Sequence, residues 1–412
     1  MNNCHLMSPA GPVAATVPLP SSKSVSNRML LLRALSGRSA ALIHNLADCD
    51  DTLAMRRALV SCDSLVDVGA AGTAMRFLAA YFASRPGRTV TLDGTARMRQ
   101  RPITILVDAL RQMGADIGYA VQEGFPPLKI EGKTLHGARL TLPGDVSSQY
   151  VSALMMLLPT VGGGEIELTG EVISRPYILM TARLMEEFGV PCIFQGAHIS
   201  VPAGDYVMHD CEVEADWSAA SYWFALAALD PDSQIVLEGL REDSLQGDSL
   251  VRNLFRALGV RSEFDGRGAL HLTHTPVCNC PYYADLTDTP DLAQTIVVVA
   301  CLQRRPFRIT GLRSLRIKET DRLEALRCEL RKLGCDISIE GNDTLSWNRS
   351  PISTESTVPC ISTYHDHRMA MAFAPAALLH PGLTIEDADV VSKSYPDFWR
   401  HLTFAGFTLT FA

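Results

Sequence analysis

A two-domain α/β fold built from six repeated units is predicted by three features of this 412-residue sequence: a recurring helix–glycine–strand signature, the near-constant interval between its copies, and a length beyond what one hydrophobic core organises. The signature appears in ALRQMGADI, RLMEEFGVPCI, LFRALGVRSEF, ELRKLGCDISI and HLTFAGFTLTF, with its glycine at Gly114, Gly189, Gly259, Gly334 and Gly406, so successive copies lie 75, 70, 75 and 72 residues apart. Four residues before each glycine stands an apolar residue (Leu110, Met185, Phe255, Leu330, Leu402), and directly before it another (Met113, Phe188, Leu258, Leu333, Ala405). A separation of three places each pair on one helix face. Glycine then ends the helix, because it takes the left-handed C-cap conformation at least cost, and a strand follows at once.

A sixth copy belongs near the N-terminus. There Asp51 to Val60 reads as a helix, but it lacks the closing glycine and has little strand after it, so the first unit is shortened. Six units of about seventy residues then account for the whole chain.

Composition narrows the function. Hydrophobic residues make up 47% and charged residues 20%, an ordinary globular balance with no low-complexity stretch. The formal charge of −8 argues against nucleic acid or an anionic membrane as partner, since both need an excess of Lys and Arg. The segment MNNCHLMSPAGPVAATVPLP has neither a basic start nor an uninterrupted apolar core, and no later run is long enough to span a membrane; a cytoplasmic protein is expected. Eleven cysteines spread over a chain of this size fit reduced, mostly buried thiols. Only Cys278 and Cys280 are close in sequence, and their one-residue spacer is not a usual zinc spacing, so no metal is expected.

Several basic residues stand beside Gly, Ser, Thr and Pro at element junctions, the pattern of an anion site. In LPSSKSVSNRMLLLRAL, Ser26 to Leu35 reads as a helix with Lys23, Ser24 and Arg28 near its start; a serine-capped helix with a solvated lysine explains the segment equally well. GAAGTAMRFLAA brings small residues into a helix, with Thr73 as a candidate cap and Arg76 one turn in. GTARMRQRPI places Arg97, Arg99 and Arg101 in a turn. Ser147, Ser148 and Gln149 open one helix, and Ser174 and Tyr177 open another at the matching point one repeat later, where plain capping is the competing explanation.

The second half is denser. Arg316, Lys318, Glu319, Asp321 and Arg322 precede an apolar helical stripe, with Glu319 and Arg322 spaced as a helical surface pair would be. TYHDHRMAMAF carries His365, Asp366, His367 and Arg368; adjacent Asp366 and His367 do not face one site on a regular helix, so Arg368 as an anion ligand is favoured over a metal. Lys393 lies in a turn before Pro396, and Asp291 follows Pro290 into an apolar helix, where an N-cap is the rival reading.

Taken together, SKSVSNR (22–28), GTAMR (72–76), RPI (101–103), SSQ (147–149), RIKETDR (316–322), DHRMAM (366–371) and KSYPDF (393–398) resemble the EPSP synthase family, the 3-phosphoshikimate 1-carboxyvinyltransferases, in order from about Pro18 to Phe398. The resemblance implies an inside-out α/β barrel in each of two domains, each of three βαβαββ-type units, with crossovers near residues 20 and 215: one domain of 21–214, the other of 1–20 and 215–412. It implies that the 5-hydroxyl of shikimate 3-phosphate attacks C2 of phosphoenolpyruvate, C3 takes a proton and phosphate leaves, with no cofactor. Lys23, Ser24, Arg28, Ser147, Ser148, Ser174, Tyr177, Asp291 and Lys318 match positions that hold shikimate 3-phosphate. Lys23, Gly72, Arg101, Gln149, Arg322, Arg368 and Lys393 match those that hold phosphoenolpyruvate. Asp291 is implied as base, and Glu319 with Lys23 as proton donor.

Cations from both domains would then cancel the repulsion between two doubly anionic substrates. A monomer is expected, and glyphosate is expected to compete with phosphoenolpyruvate. The sequence departs from the family at Ala70 and Ser314, each in place of asparagine, at Phe77 in place of proline, and by some twenty residues absent between Val60 and Val68. A UDP-N-acetylglucosamine enolpyruvyl transferase is the nearest rival, but the reactive loop cysteine of that family has no counterpart between Cys62 and Cys192. A non-catalytic anion-binding homologue is the rival of another class.

Overall fold

The computed structural model describes residues 2–37, 41–350 and 358–412. The chain divides into two compact units, one of residues 1–20 and 214–412, the other of residues 21–213.

Among the described residues there are six sheets, and five of them share one plan. In the sheet ordered Leu65–Asp67, Thr89–Asp93, Leu128–Glu131, Asp116–Tyr119, the first pair is parallel and the next two are antiparallel. The plan follows from the connections. The helix Gly72–Ala83 crosses over between the two parallel strands, the helix Thr104–Gln112 leads to Asp116–Tyr119, and a short loop returns the chain antiparallel. The sheets Ala138–Pro143, Gly164–Thr169, His198–Val201, Ile193–Gln195 and Tyr282–Asp285, Phe307–Thr310, Thr344–Trp347, Ser338–Glu340 repeat it.

Two sheets of the 1–20/214–412 unit borrow a strand from the N-terminal segment. Ala14–Pro18 runs parallel to Gln234–Glu238, and Cys4–Met7 is antiparallel to both Leu383–Ile385 and Thr408–Phe411. The sixth sheet is the exception, with only Cys211–Glu212 paired parallel to Ile43–His44. The helix Asp50–Val60 is followed almost at once by Leu65–Asp67, the first strand of the next unit, so no residues remain for a returning hairpin. This is the shortened first unit expected from the sequence.

The five signature glycines have φ of 98°, 89°, 85°, 81° and 97° in chain order, and each stands two or three residues past the end of its helix. A Cβ in that left-handed region is strained, which is why glycine recurs there.

In each unit three helices pack on one another at the centre: Lys23–Leu35, Gly72–Ala83 and Ser148–Leu157 in one, Trp217–Leu229, Ala293–Leu302 and His367–Phe373 in the other. Trp217–Leu229 and Ala293–Leu302 are apolar on nearly every face, as burial all round requires. All ten residues of AQTIVVVACL are buried, and each of its Val, Ile and Leu side chains contributes about 1.5–3 kcal/mol.

Three expectations are corrected here. The first helix starts at Lys23, not Ser26, because Ser22 is its N-cap and accepts from the Val25 amide at 3.4 Å. Thr73 lies inside its helix, which Ala71 caps, and so is free of the capping role. The cysteines are not mostly buried: Cys4, Cys49, Cys301 and Cys335 are, but Cys62, Cys278, Cys280, Cys328 and Cys360 are exposed.

Candidate active site

Every residue proposed from the sequence stands at one kind of place, the junction where a strand's C-terminal end enters a helix. There unpaired N–H groups and the positive end of the helix dipole favour anions.

In unit 21–213, the Lys23 ammonium lies 3.1 Å from a carboxylate oxygen of buried Asp51. Arg28 is buried and its guanidinium donates to Thr181 Oγ1 at 2.7 Å, Ser152 Oγ at 3.1 Å and the carbonyls of Ser24 and Tyr177 at 3.0 and 3.4 Å. It thus ties together the helices that begin at Lys23, Ser148 and Arg175, with the Phe77 ring 5.6 Å away. Burial lowers its pKa to about 10, and it stays a cation at neutral pH. Ser147 caps its helix, accepting from the Gln149 amide at 3.3 Å, while Gln149 Nε2 reaches across to Thr73 Oγ1 at 3.0 Å and joins two central helix N-termini. Ser174 occupies an N-cap position at φ 53°, but its hydroxyl makes no cap bond, so capping does not account for it. Of the three arginines in the 97–101 turn only Arg101 is buried; Arg99 is exposed and paired with Asp93.

The Arg101 guanidinium rests on Gly72, where an added Cβ would come within 2.6 Å of Nη1. Gly72→Ala therefore moves the guanidinium without disturbing backbone. We expect kcat/KM for the anionic substrate to fall ten- to a hundredfold, in line with about 1 Å of misplacement. Stability should hold or rise by up to about 1 kcal/mol, because alanine is the better helix former. Steady-state kinetics beside thermal denaturation check both.

In unit 1–20/214–412, the three central helix N-termini meet in an ionic cluster. Arg322 is 1% exposed in its side chain and donates to Asp366 at 2.7 Å, Asp291 at 2.8 Å and Glu319 at 3.0 Å. Arg368 Nη2 reaches Asp291 at 3.1 Å and Ser218 Oγ at 3.3 Å. Lys393 donates to Glu319 at 2.9 Å, and the Lys318 ammonium lies 3.7 Å from Asp291. Asp291 sits in a short turn, Pro290–Leu292, while Leu292 is the N-cap of the following helix, so the capping explanation does not hold. Burial opposes ionisation of Asp291, but Arg368, then Lys318 and Arg322, outweigh it and hold the carboxyl well below the usual carboxylate range. Glu319 precedes the helix Arg322–Lys332, so its bond to Arg322 is made from the loop and not along a helix face. Asp366 caps its helix and pairs with Arg322, whereas His365 is exposed and bonds Asp387. Arg316 pairs with the cap Asp321 at 2.9 Å, a structural duty. Ser314 Oγ is buried without a hydrogen-bond partner.

Sequence reasoning missed Asp51, Ser218 and Asp248. Asp248 is 3% exposed and accepts from Ser218, which also meets Arg368. Burial, reinforced by nearby Asp291, pushes its pKa up to about 6 from an ordinary 3.8. Folding therefore takes up a proton between these values. The stability that neutral Asp248 contributes is complete below 3.8 and is lost as pH rises through about 6, a change of ~3 kcal/mol. Asp248→Asn, neutral throughout, should gain that amount on the wild type between pH 4 and 7. Denaturant midpoints across that range check it.

Residues 56–402 match the family described as EPSP synthase (3-phosphoshikimate 1-carboxyvinyltransferase). A curated 3-phosphoshikimate 1-carboxyvinyltransferase of Bacteroides fragilis is 49% identical over 405 residues, covering 98% of each chain, and that of Idiomarina loihiensis 36% over 433, covering 98% of this chain and 99% of the other. A solved EPSP synthase from Acinetobacter baumannii superposes with a TM-score of 0.75 at 22% identity, over all of both chains, and so shares the fold. The fold and the likeness together define a two-domain α/β transferase of the enolpyruvyl class. The chain belongs to the EPSP synthase (3-phosphoshikimate 1-carboxyvinyltransferase) family.

Proposed function

We propose that this enzyme transfers the enolpyruvyl group of phosphoenolpyruvate to the 5-hydroxyl of shikimate 3-phosphate, releasing phosphate, with the residues above in the following roles. The observation that supports the assignment of roles is the cluster around Asp291, in which Lys318, Arg322, Arg368 and Lys393 are held against carboxylates at helix N-termini.

Each substrate carries a phosphate and a carboxylate. Those anions compete with Asp291 and Glu319 for the same guanidinium and ammonium hydrogens. As substrate takes over donors on Arg368, Lys318 and Arg322, the cations that keep Asp291 so weak a base are neutralised, and its affinity for a proton rises where the 5-hydroxyl must lose one. Asp291 is the base. Glu319, with Lys23, delivers the proton to C3. Lys318 with Ser24, Arg28, Ser147, Ser148, Ser174 and Tyr177 holds shikimate 3-phosphate, Arg28 through the donor capacity its protein partners leave. Gly72, Arg101 and Gln149 with Lys23, Arg322, Arg368 and Lys393 hold phosphoenolpyruvate. The functional domains are taken as 21–214 and 1–20 with 215–412.

We assign the protein to the cytoplasm as a monomer; among the described residues no helix is long and apolar enough to cross a membrane. Phosphate release assayed with both substrates, and with each alone, tests the function. Release only in the presence of both, suppressed competitively against phosphoenolpyruvate by glyphosate, is the expected result; no release at saturation would leave a binding protein.

A further inference from the structure

The loop between strands Leu270–His274 and Tyr282–Asp285 carries Cys278 and Cys280, both exposed. Arg305, itself buried, donates to the Cys280 carbonyl at 2.7 Å and to the Ala257 carbonyl, and its guanidinium lies over the Tyr282 ring at 5.3 Å. Fixed in this way, it points Nη2 at the Cys280 sulfur, 3.4 Å away. Two other exposed thiols have the opposite surroundings: Cys328 Sγ donates to Glu324 at 3.7 Å and Cys360 Sγ to Glu386 at 3.4 Å. A carboxylate beside a thiol favours its protonated, unreactive form, whereas a cation favours the nucleophilic thiolate. The directions of the shifts agree. The Cys278 thiol and then the Arg305 guanidinium draw Cys280 below its ordinary range, while burial and a neighbouring carboxylate raise Cys328 and Cys360.

We propose that Cys278 and Cys280 form an oxidant-sensitive dithiol, in which the Cys280 sulfur held by Arg305 attacks a hydroperoxide and Cys278 resolves the product into a disulfide within the loop. In the first step the Cys280 thiolate attacks the terminal peroxide oxygen, the O–O bond breaks, and the sulfur becomes a sulfenic acid as hydroxide or alkoxide leaves. In the second the Cys278 sulfur attacks the Cys280 sulfur, the S–O bond breaks, and the departing hydroxide takes the Cys278 proton as water. The hydroperoxide accepts the two electrons that the thiols give up. Residues two apart span at most about 7 Å between Cα atoms, and the bend of the chain at Asn279 and Cys280 shortens that toward the range disulfides accept.

Reduced full-length protein is treated with hydrogen peroxide, quenched with iodoacetamide at intervals, and mapped by peptide mass. The expected result is loss of two hydrogens from the peptide holding Cys278 and Cys280, about tenfold faster than oxidation of Cys328 or Cys360. In Cys278→Ser, a dimedone adduct should appear on Cys280 and the intraloop crosslink should vanish. Oxidation of Cys62, Cys328 or Cys360 at the same rate or sooner, a dimedone adduct absent from Cys280 in that variant, or crosslinking between chains in place of the intraloop bond would each overturn the proposal.

Discussion

Asp291→Asn is expected to lower kcat/KM by about two to four orders of magnitude while the protein stays folded, the range set by losing a positioned acid–base group. The amide keeps the size and the acceptor oxygen, so Arg322 retains Asp366 and Glu319 and the cluster stays assembled. What it loses is the charge and the capacity to take a proton. Stability supplies the control. The depressed pKa of Asp291 means that its carboxylate contributes stability above the pKa of an unfolded aspartate, lost as pH falls through the folded value. The variant should therefore be less stable than wild type at neutral pH, and the difference should shrink as the solution is acidified. Initial rates and denaturant midpoints at two pH values test both; near-normal turnover would remove Asp291 from the mechanism.

The second large effect is expected from Lys23→Met, which matches the length of the lysine stem and removes only the ammonium. Turnover should fall by orders of magnitude. The partner Asp51 is buried, so the single variant also leaves a carboxylate without its cation and should cost about 3–5 kcal/mol of stability. Adding Asp51→Asn should restore most of that stability and none of the turnover. Recovery of turnover in the double variant would reduce Lys23 to a structural counter-ion.

The repeat was legible because glycine at a helix C-cap answers to a backbone requirement that no tertiary contact overrides, and all five positions adopt the left-handed conformation. The site was legible in part for a similar reason. Cations and hydroxyls beside small residues at strand-to-helix junctions mark N-termini, and Arg322, Arg368 and Lys393 do converge on Asp291 and Glu319. The carboxylates that brace these cations were not legible. Asp51 and Asp248 lie in or beside acidic or polar stretches that look like ordinary helix starts, and only packing reveals that each is buried against a group on another helix N-terminus, Lys23 and Ser218 respectively. The role of Ser218 was hidden likewise, because its link to Arg368 crosses 150 residues. Nor do CHLM and AATVP announce their sheets, since the strands they join are more than two hundred residues distant.

That borrowing of strands sets an order of events during synthesis. The sheet around Cys4–Met7 is complete only once Thr408–Phe411 has been made, whereas every strand of the 21–213 unit exists by residue 213. At elongation rates of roughly 5–20 residues per second, the early segment waits tens of seconds for its partners with its hydrogen-bonding edges unpaired. During that interval the nascent chain carries one half ready to mature beside another whose first two strands are a standing invitation to chaperones.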